Sequence, residues 1–272
     1  MCKERGELLT IGSIIAAAAA KGLRGSAHWD NVSSHEARGI SFAVGGDPGA
    51  VTIPNILKKY SPQVNGASLS EHEIELCRFG LCSLEQYIPD LDVLNAAQSA
   101  SFAMSLPTEV TYLVSKMKTL PGVDFENDWK LINVQIGGET SPETYSKHLD
   151  DMLSRVRAEV PRVIVNLINN WNISDVYMAT HGHLYCKASM FGRFQYNQLQ
   201  CPCSVGASNR PKMNQLASDY NNALYKLHLK YNALKDDSFG VMHTPTSIDF
   251  SGAPMKIYRL LGTRFLSRSP RK

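Results

Sequence analysis

Asp128-Trp-Lys-Leu-Ile-Asn-Val-Gln-Ile-Gly-Gly138 is the stretch on which the fold turns. From Trp129 to Ile136 it is densely apolar, and two glycines then stop it where the chain must bend. A short run of this kind, with β-branched residues inside and glycines after, reads as a buried strand. Working outward, Leu8–Ile15, Ile40–Val44, Leu91–Ala96, Val163–Ile168 and Phe239–Met242 read the same way. Most are continuous apolar runs rather than alternating ones, which suits a parallel sheet covered on both faces. Between them lie helical stripes. Val110, Leu113, Val114 and Met117 follow Pro107. Leu149, Met152, Leu153, Val156 and Val160 follow Ser141-Pro-Glu143. Leu216, Tyr220, Ala223, Leu227, Tyr231 and Leu234 form the longest. Strands and helices alternating at this spacing predict a doubly wound α/β/α sandwich. The stretches 61–90 and 178–212 read as surface loops.

The 272 residues can bury one large core. The formal charge of +3 is unevenly spread. Six of the 28 basic residues lie in 256–272, which has no acid, so the remaining 22 face 25 acidic residues and the body is net −3. A nucleic-acid surface needs a basic face on the folded body, so that class is set aside. The division expected is one domain over 1–255 and a basic tail over 256–272. Six cysteines (Cys2, Cys77, Cys82, Cys186, Cys201, Cys203) form no pair of CxxC knuckles, which argues against zinc. Asn31-Val-Ser33 and Asn172-Ile-Ser174 are sequons that would suit a secretory compartment. Leu8–Ala20 has two readings, a signal-peptide core or a first strand running into a helix.

In such a sandwich, chemistry gathers at the carboxyl ends of the strands. Gly12-Ser13 follows the first strand, where a serine presents its hydroxyl above the sheet and the next helix can stabilise an oxyanion. The plainer alternative is a helix N-cap. His181, His183 and Cys186 resemble a ligand trio but read better as loop polarity. Trp29 beside His28 reads as packing.

Several segments, in order, carry a resemblance: Gly45-Gly-Asp-Pro48, Pro54-Asn-Ile-Leu-Lys-Lys-Tyr60-Ser-Pro62, Asn95-Ala-Ala-Gln-Ser99-Ala100 and Asp128-Trp through Gly138. Over roughly residues 8–250 the chain resembles the phospholipase B-like branch of the SGNH/GDSL ester hydrolases. The resemblance implies a flavodoxin-like three-layer sandwich with a parallel sheet, here expected to be incomplete at its C-terminus. It implies cleavage of acyl esters of phospholipids and lysophospholipids by a serine nucleophile, without metal or cofactor. It implies an acyl-ester partner, a membrane surface as a second one, no nucleic acid, and a secreted or membrane-associated location, although no clear signal peptide is present.

Carried over residue by residue, the resemblance makes Ser13 the nucleophile, with Ala20-Lys-Gly22 matching the family's following turn. That match favours strand over signal peptide for residues 8–20. The oxyanion donors would be the Ser13, Ala100 and Gly138 amides, with Ala100 in place of a glycine and expected at negative φ. Glu139 stands where the family has an amide donor, and a carboxylate there accepts and repels. The family's Asp-x-x-His pair is absent, because no Asp in the chain has His at the third following residue. His243, after the last strand, is the substitute base to examine. Two readings follow: an ester hydrolase, or a catalytically dead lipid-binding relative or product of an altered gene model.

Overall fold

The computed structural model describes residues 6–12, 35–77, 80–137, 141–172, 174–175, 189–190, 194–195 and 206–246. Four parallel strands form the main sheet, in the order β1 (Gly6–Gly12), β4 (Trp129–Gln135), β5 (Val163–Ile168) and β8 (Phe239–Thr244). Two-residue strands make antiparallel pairs elsewhere: β2 (His35–Glu36) with β3 (His72–Glu73), and β6 (Ser189–Met190) with β7 (Phe194–Gln195). Helices are α1 (Ile53–Leu57), α2 (Pro89–Asp92), α3 (Leu106–Thr119), α4 (Pro142–Glu159) and α5 (Arg210–Asn232).

The period-2 geometry of β4 sorts its residues. Ile132 and Val134, with Ile136 just beyond, join Val163, Val165 and Leu167 of β5 and Phe239 and Val241 of β8 in one core. The apolar stripes expected on α3, α4 and α5 supply the other half of that core, α4 packing between α3 and α5. Ser141 caps α4 by accepting the Thr144 amide at 3.2 Å, ahead of Pro142 at the first helical turn. The Tyr145 ring stacks on Tyr220 of α5, and its hydroxyl donates to the Ile136 carbonyl at 3.0 Å, tying helix layer to sheet.

The opposite face of the same strands carries a polar row. Thr244 Oγ1 donates to Asn166 Oδ1 at 2.6 Å, Asn166 Nδ2 to Asn133 Oδ1 at 3.0 Å, and Asn133 Nδ2 to the Ala43 carbonyl at 3.1 Å. Asn133 and Asn166 are both buried, so each amide needs these partners. The row pins the 37–52 loop to the sheet.

The parallel α/β fold is the one the sequence predicts, with two corrections. Ile40–Val44 and Leu91–Ala96 are not strands. The first is the end of a 3-10 turn (Arg38–Ile40) and a loop, and the second leaves α2 and crosses as irregular chain. Their apolar side chains are buried (Val44, Leu94 and Ala96), but their backbone bonds go to loops: Ser68 donates to Val44 O, and Leu94 to Gly66 O. Elsewhere the elements fall on the apolar patterns with shifted ends: β1 begins at Gly6, residues 13–15 of its expected span lie outside the described residues, β8 runs on to Thr244, and 61–90, expected as surface loop, holds β3 and the buried His72 and Glu75. His28, Trp29, His181, His183, Cys186 and the 256–272 tail lie outside the described residues.

Candidate active site at the carboxyl edge of the sheet

The parallel register pairs Gly12 with Gln135, so the chain leaves β1 and β4 side by side at one edge of the sheet. Phe102 bridges to Gly137, and the Ala103 amide donates to the Gly137 carbonyl at 3.2 Å. The chain around Ala100 therefore lies against the turn that follows β4. Three stretches singled out in the sequence converge here: the exit of β1, the 95–100 segment and the exit of β4. Ser13, Gly138 and Glu139 themselves lie outside the described residues.

Ala100 is described, and its φ of +60° contradicts the negative value expected of an alanine. The left-handed region suits glycine, because a Cβ there crowds the neighbouring carbonyl at a cost of about 1–2 kcal/mol. The position keeps a glycine-type backbone although the side chain has changed.

What holds it is a buried ionic network that the sequence reading missed. Arg38, in the 3-10 turn after β2, donates from both Nη atoms to the Ala97 carbonyl at 2.8 and 2.7 Å. Its Nε donates to Asp92 Oδ1, its Nη1 reaches Glu36 at 3.0 Å and its Nη2 reaches Glu75 at 3.3 Å. His72 Nε2 bonds Asp92 Oδ1 at 2.9 Å, and Ser99 Oγ donates to Glu36. The Ser99 amide donates to the Glu75 carbonyl at 2.8 Å, and the Asn95 side chain accepts the Ala97 amide at 3.2 Å. Segment 95–99 is thus gripped from both sides immediately before Ala100.

Charge balances in this interior through proton placement. Burial raises Glu75 to about 9 against the pull of Arg38, which favours its neutral form. Burial also raises Glu36. For Asp92 burial pushes upward too, but the His72 hydrogen bond and the Arg38 charge outweigh it and hold the carboxyl below its ordinary value. His72 moves upward: burial opposes this, and its bond to Asp92 and the Glu73 carbonyl prevail. A separate buried acid, Glu109 of α3, accepts from Ser101 Oγ at 2.7 Å, and burial raises it to about 8.

Over residues 5–259 the chain matches the family described as "GDSL-like Lipase/Acylhydrolase". The chain belongs to this family. The curated proteins it is similar to are phospholipases B. "Phospholipase B1, membrane-associated" of Rattus norvegicus is 28% identical over 225 residues, covering 76% of this chain and 14% of the relative. The Mus musculus protein of the same name is 25% identical over 225 residues, with the same coverage. The Homo sapiens one is 30% identical over 159 residues, covering 53% of this chain and 10% of the relative. The chain therefore spans 14% or less of the length of the curated relatives it matches. No solved structure matched.

In this GDSL-family chain His243 lies on β8, in register with Leu167 of β5. Gly12 and β8 are on opposite edges of the four-stranded sheet, three strand spacings apart, or about 14 Å at roughly 4.8 Å each. The His243 ring turns toward α5, where it lies 6.3 Å from His228 and 5.6 Å from Tyr225 between ring centroids. Its Nε2 hydrogen-bonds Asn169 Oδ1 at 2.7 Å, and burial with the His228 charge lowers its pKa. The structure does not bring His243 to the end of β1.

His72, Glu75 and Asp92 could in principle offer three metal-ligand atoms. Asp92 Oδ1 already accepts from both His72 and Arg38, and the guanidinium supplies the positive charge that a cation would bring. The trio reads as a structural ion network.

Proposed function

We propose that this chain is a lipid-ester hydrolase domain of the phospholipase B-like type, in which Ser13 attacks an acyl carbonyl. The Ser13, Ala100 and Gly138 amides would face the oxyanion. The observation that carries the reading is the meeting of the β1 exit, the glycine-like turn at Ala100 and the β4 exit at Gly137. Donors pre-placed where negative charge develops are usually the largest single contribution to such catalysis. The substrate class is an acyl ester of a phospholipid or lysophospholipid, with no metal or cofactor required, and no nucleic-acid partner.

The position of His243 favours a second reading, a lipid-binding relative with little or no turnover. Loss of the base in a triad leaves only weak residual catalysis. The disulfide between Cys77 and Cys82 supports an oxidising, secretory or membrane-associated setting, as do the two sequons.

Hydrolysis of a short-chain acyl ester and of lysophosphatidylcholine, compared in wild type, Ser13→Ala and His243→Ala, tests these roles. The hydrolase reading expects slow turnover abolished in Ser13→Ala. Turnover that survives Ser13→Ala would remove Ser13 as nucleophile, and no turnover in the wild type would establish the second reading. Turnover unchanged in His243→Ala would remove His243 as base.

A further inference from the structure

Apart from Tyr225, Leu229, Leu234 and Met242 near α5 and β8, two groups of exposed apolar side chains lie within residues 42–92, and they differ in charge. Leu76, Leu81, Leu84 and Ile88 fall within residues 71–92, beside Glu71, Glu73, Glu85 and Asp90. Phe42, Val51, Ile56, Tyr60 and Leu69 form the other group, exposed by 63, 61, 43, 84 and 42%. Residues 48–70 contain Lys58 and Lys59 and no acid at all. Asp47, the one acid between 42 and 70, has its carboxylate engaged by the Ser70 amide at 2.8 Å.

Local structure gathers the second group. Thr52 caps α1 and Pro54 occupies its first turn. Beyond Leu57 the helical turn continues, with Lys59 N bonded to Ile56 O and Tyr60 N to Leu57 O. Ile56, Lys59 and Tyr60 therefore share one face, at spacings of three and four. The Ile53 amide donates to the Phe42 carbonyl at 2.9 Å, which brings Phe42 to the head of the helix. The Gly46 amide donates to Ser68 O at 2.8 Å, which brings Leu69 alongside the same loop. Single exposed apolar residues are ordinary. One loop carrying two aromatics, three aliphatics and two lysines is a different object. Neither lysine forms an ion pair among the described residues.

We propose that this 42–69 face docks onto an anionic lipid surface, its apolar side chains entering the interfacial layer while Lys59, on the face with Ile56 and Tyr60, meets the headgroup phosphates. Aromatic and aliphatic side chains with flanking lysines are what such an interface holds. The acid-bearing 71–92 group is repelled by the same surface. The choice of lipid over another anionic partner rests on the lipid-ester reading above.

Co-sedimentation of the full chain with vesicles of phosphatidylserine in phosphatidylcholine, against pure phosphatidylcholine, tests it. A basic side chain near an anionic surface contributes about fivefold, so Lys59→Gln weakens binding about fivefold. Val51→Ser with Tyr60→Ser weakens it about tenfold or more. Leu81→Ser with Leu84→Ser binds as wild type does. Positions 51, 59, 60, 81 and 84 are all exposed, and an unchanged thermal transition confirms folding. Docking is overturned if the wild type ignores anionic vesicles, if the two 42–69 variants bind like the wild type, or if the face instead joins two copies in a dimer that Tyr60→Ser dissociates. Vesicle binding without ester turnover sinks the hydrolase reading and leaves docking standing. Turnover of a soluble ester without vesicle binding does the reverse.

Discussion

The buried carboxyls give the domain a pH-dependence of definite sign. Glu109 is fully buried on α3, with Ser101 Oγ on one oxygen and, among the described residues, no hydrogen-bond partner on the other. Its pKa rises from 4.5 to about 8 because burial disfavours the charge. Between those values the native state holds a proton that the unfolded chain has released, so ν_N exceeds ν_U and stability falls as pH rises. One proton held across that window corresponds to up to roughly 5 kcal/mol, at about 1.4 kcal/mol per pH unit. That is comparable to the whole stability of many domains. Glu75, raised to about 9, acts in the same direction, and so do the raised Glu36 and His72. Asp92, held low, acts only in acid, where its stabilisation is lost as pH falls through its depressed value. Urea unfolding followed by circular dichroism at about pH 5, 6.5 and 8 should therefore show the free energy dropping steadily. In Glu109→Gln the neutral isostere replaces the protonated acid, so stability near pH 5 changes little and the slope loses about one proton's worth. A wild-type stability that is flat or rising over this range would refute the reasoning. So would a slope in Glu109→Gln equal to that of the wild type.

Two further substitutions probe the segment before the candidate oxyanion turn. Ala100→Gly should stabilise the protein by about 1 kcal/mol, because glycine accepts the +60° backbone without strain, and a higher urea midpoint at unchanged m-value reads this directly. Arg38→Met should cost about 3–5 kcal/mol, since it strips the countercharge from Asp92 and Glu36 and leaves the Ala97 carbonyl unpaired; the thermal transition measures it, and a loss below 1 kcal/mol would show the network to be dispensable.

What the sequence made legible follows from what apolar patterns report. β4, β5 and β8, with α3, α4 and α5, were all readable, because their runs or stripes are buried by regular elements packing on one another. In Ile40–Val44 and Leu91–Ala96, Val44, Leu94 and Ala96 are buried as deeply as those elements' apolar side chains, but in irregular chain. Hydrophobicity records burial and is silent on whether the backbone bonds to a neighbouring strand or to a loop. The Arg38 network was invisible for another reason. Its members come from residues 36, 38, 72, 75, 92 and 97–99, and no local spacing marks charges that meet only after folding. The family resemblance pointed to Ala100 but not to its φ, which depends on how tightly 95–99 is held.

The same geometry separates the parts of the candidate site. The exits of β1 and β4 and the 95–102 segment, beside which the candidate nucleophile and oxyanion positions fall in sequence, are neighbours. Bringing a base to them from the far edge of the sheet means crossing three strand spacings, about 14 Å, which takes at least four or five extended residues at about 3.3 Å each. A side chain fixed within β8 cannot make that crossing; one carried on a loop beyond Thr244 can. His243 is of the first kind, anchored to Asn169 and facing α5. Any Ser13-dependent turnover in this chain must then draw its proton acceptor from a residue other than His243, or from hydroxide. The pH profile discriminates the two, since a side-chain base gives kcat a titration step, whereas attack assisted by hydroxide rises tenfold per pH unit without a plateau.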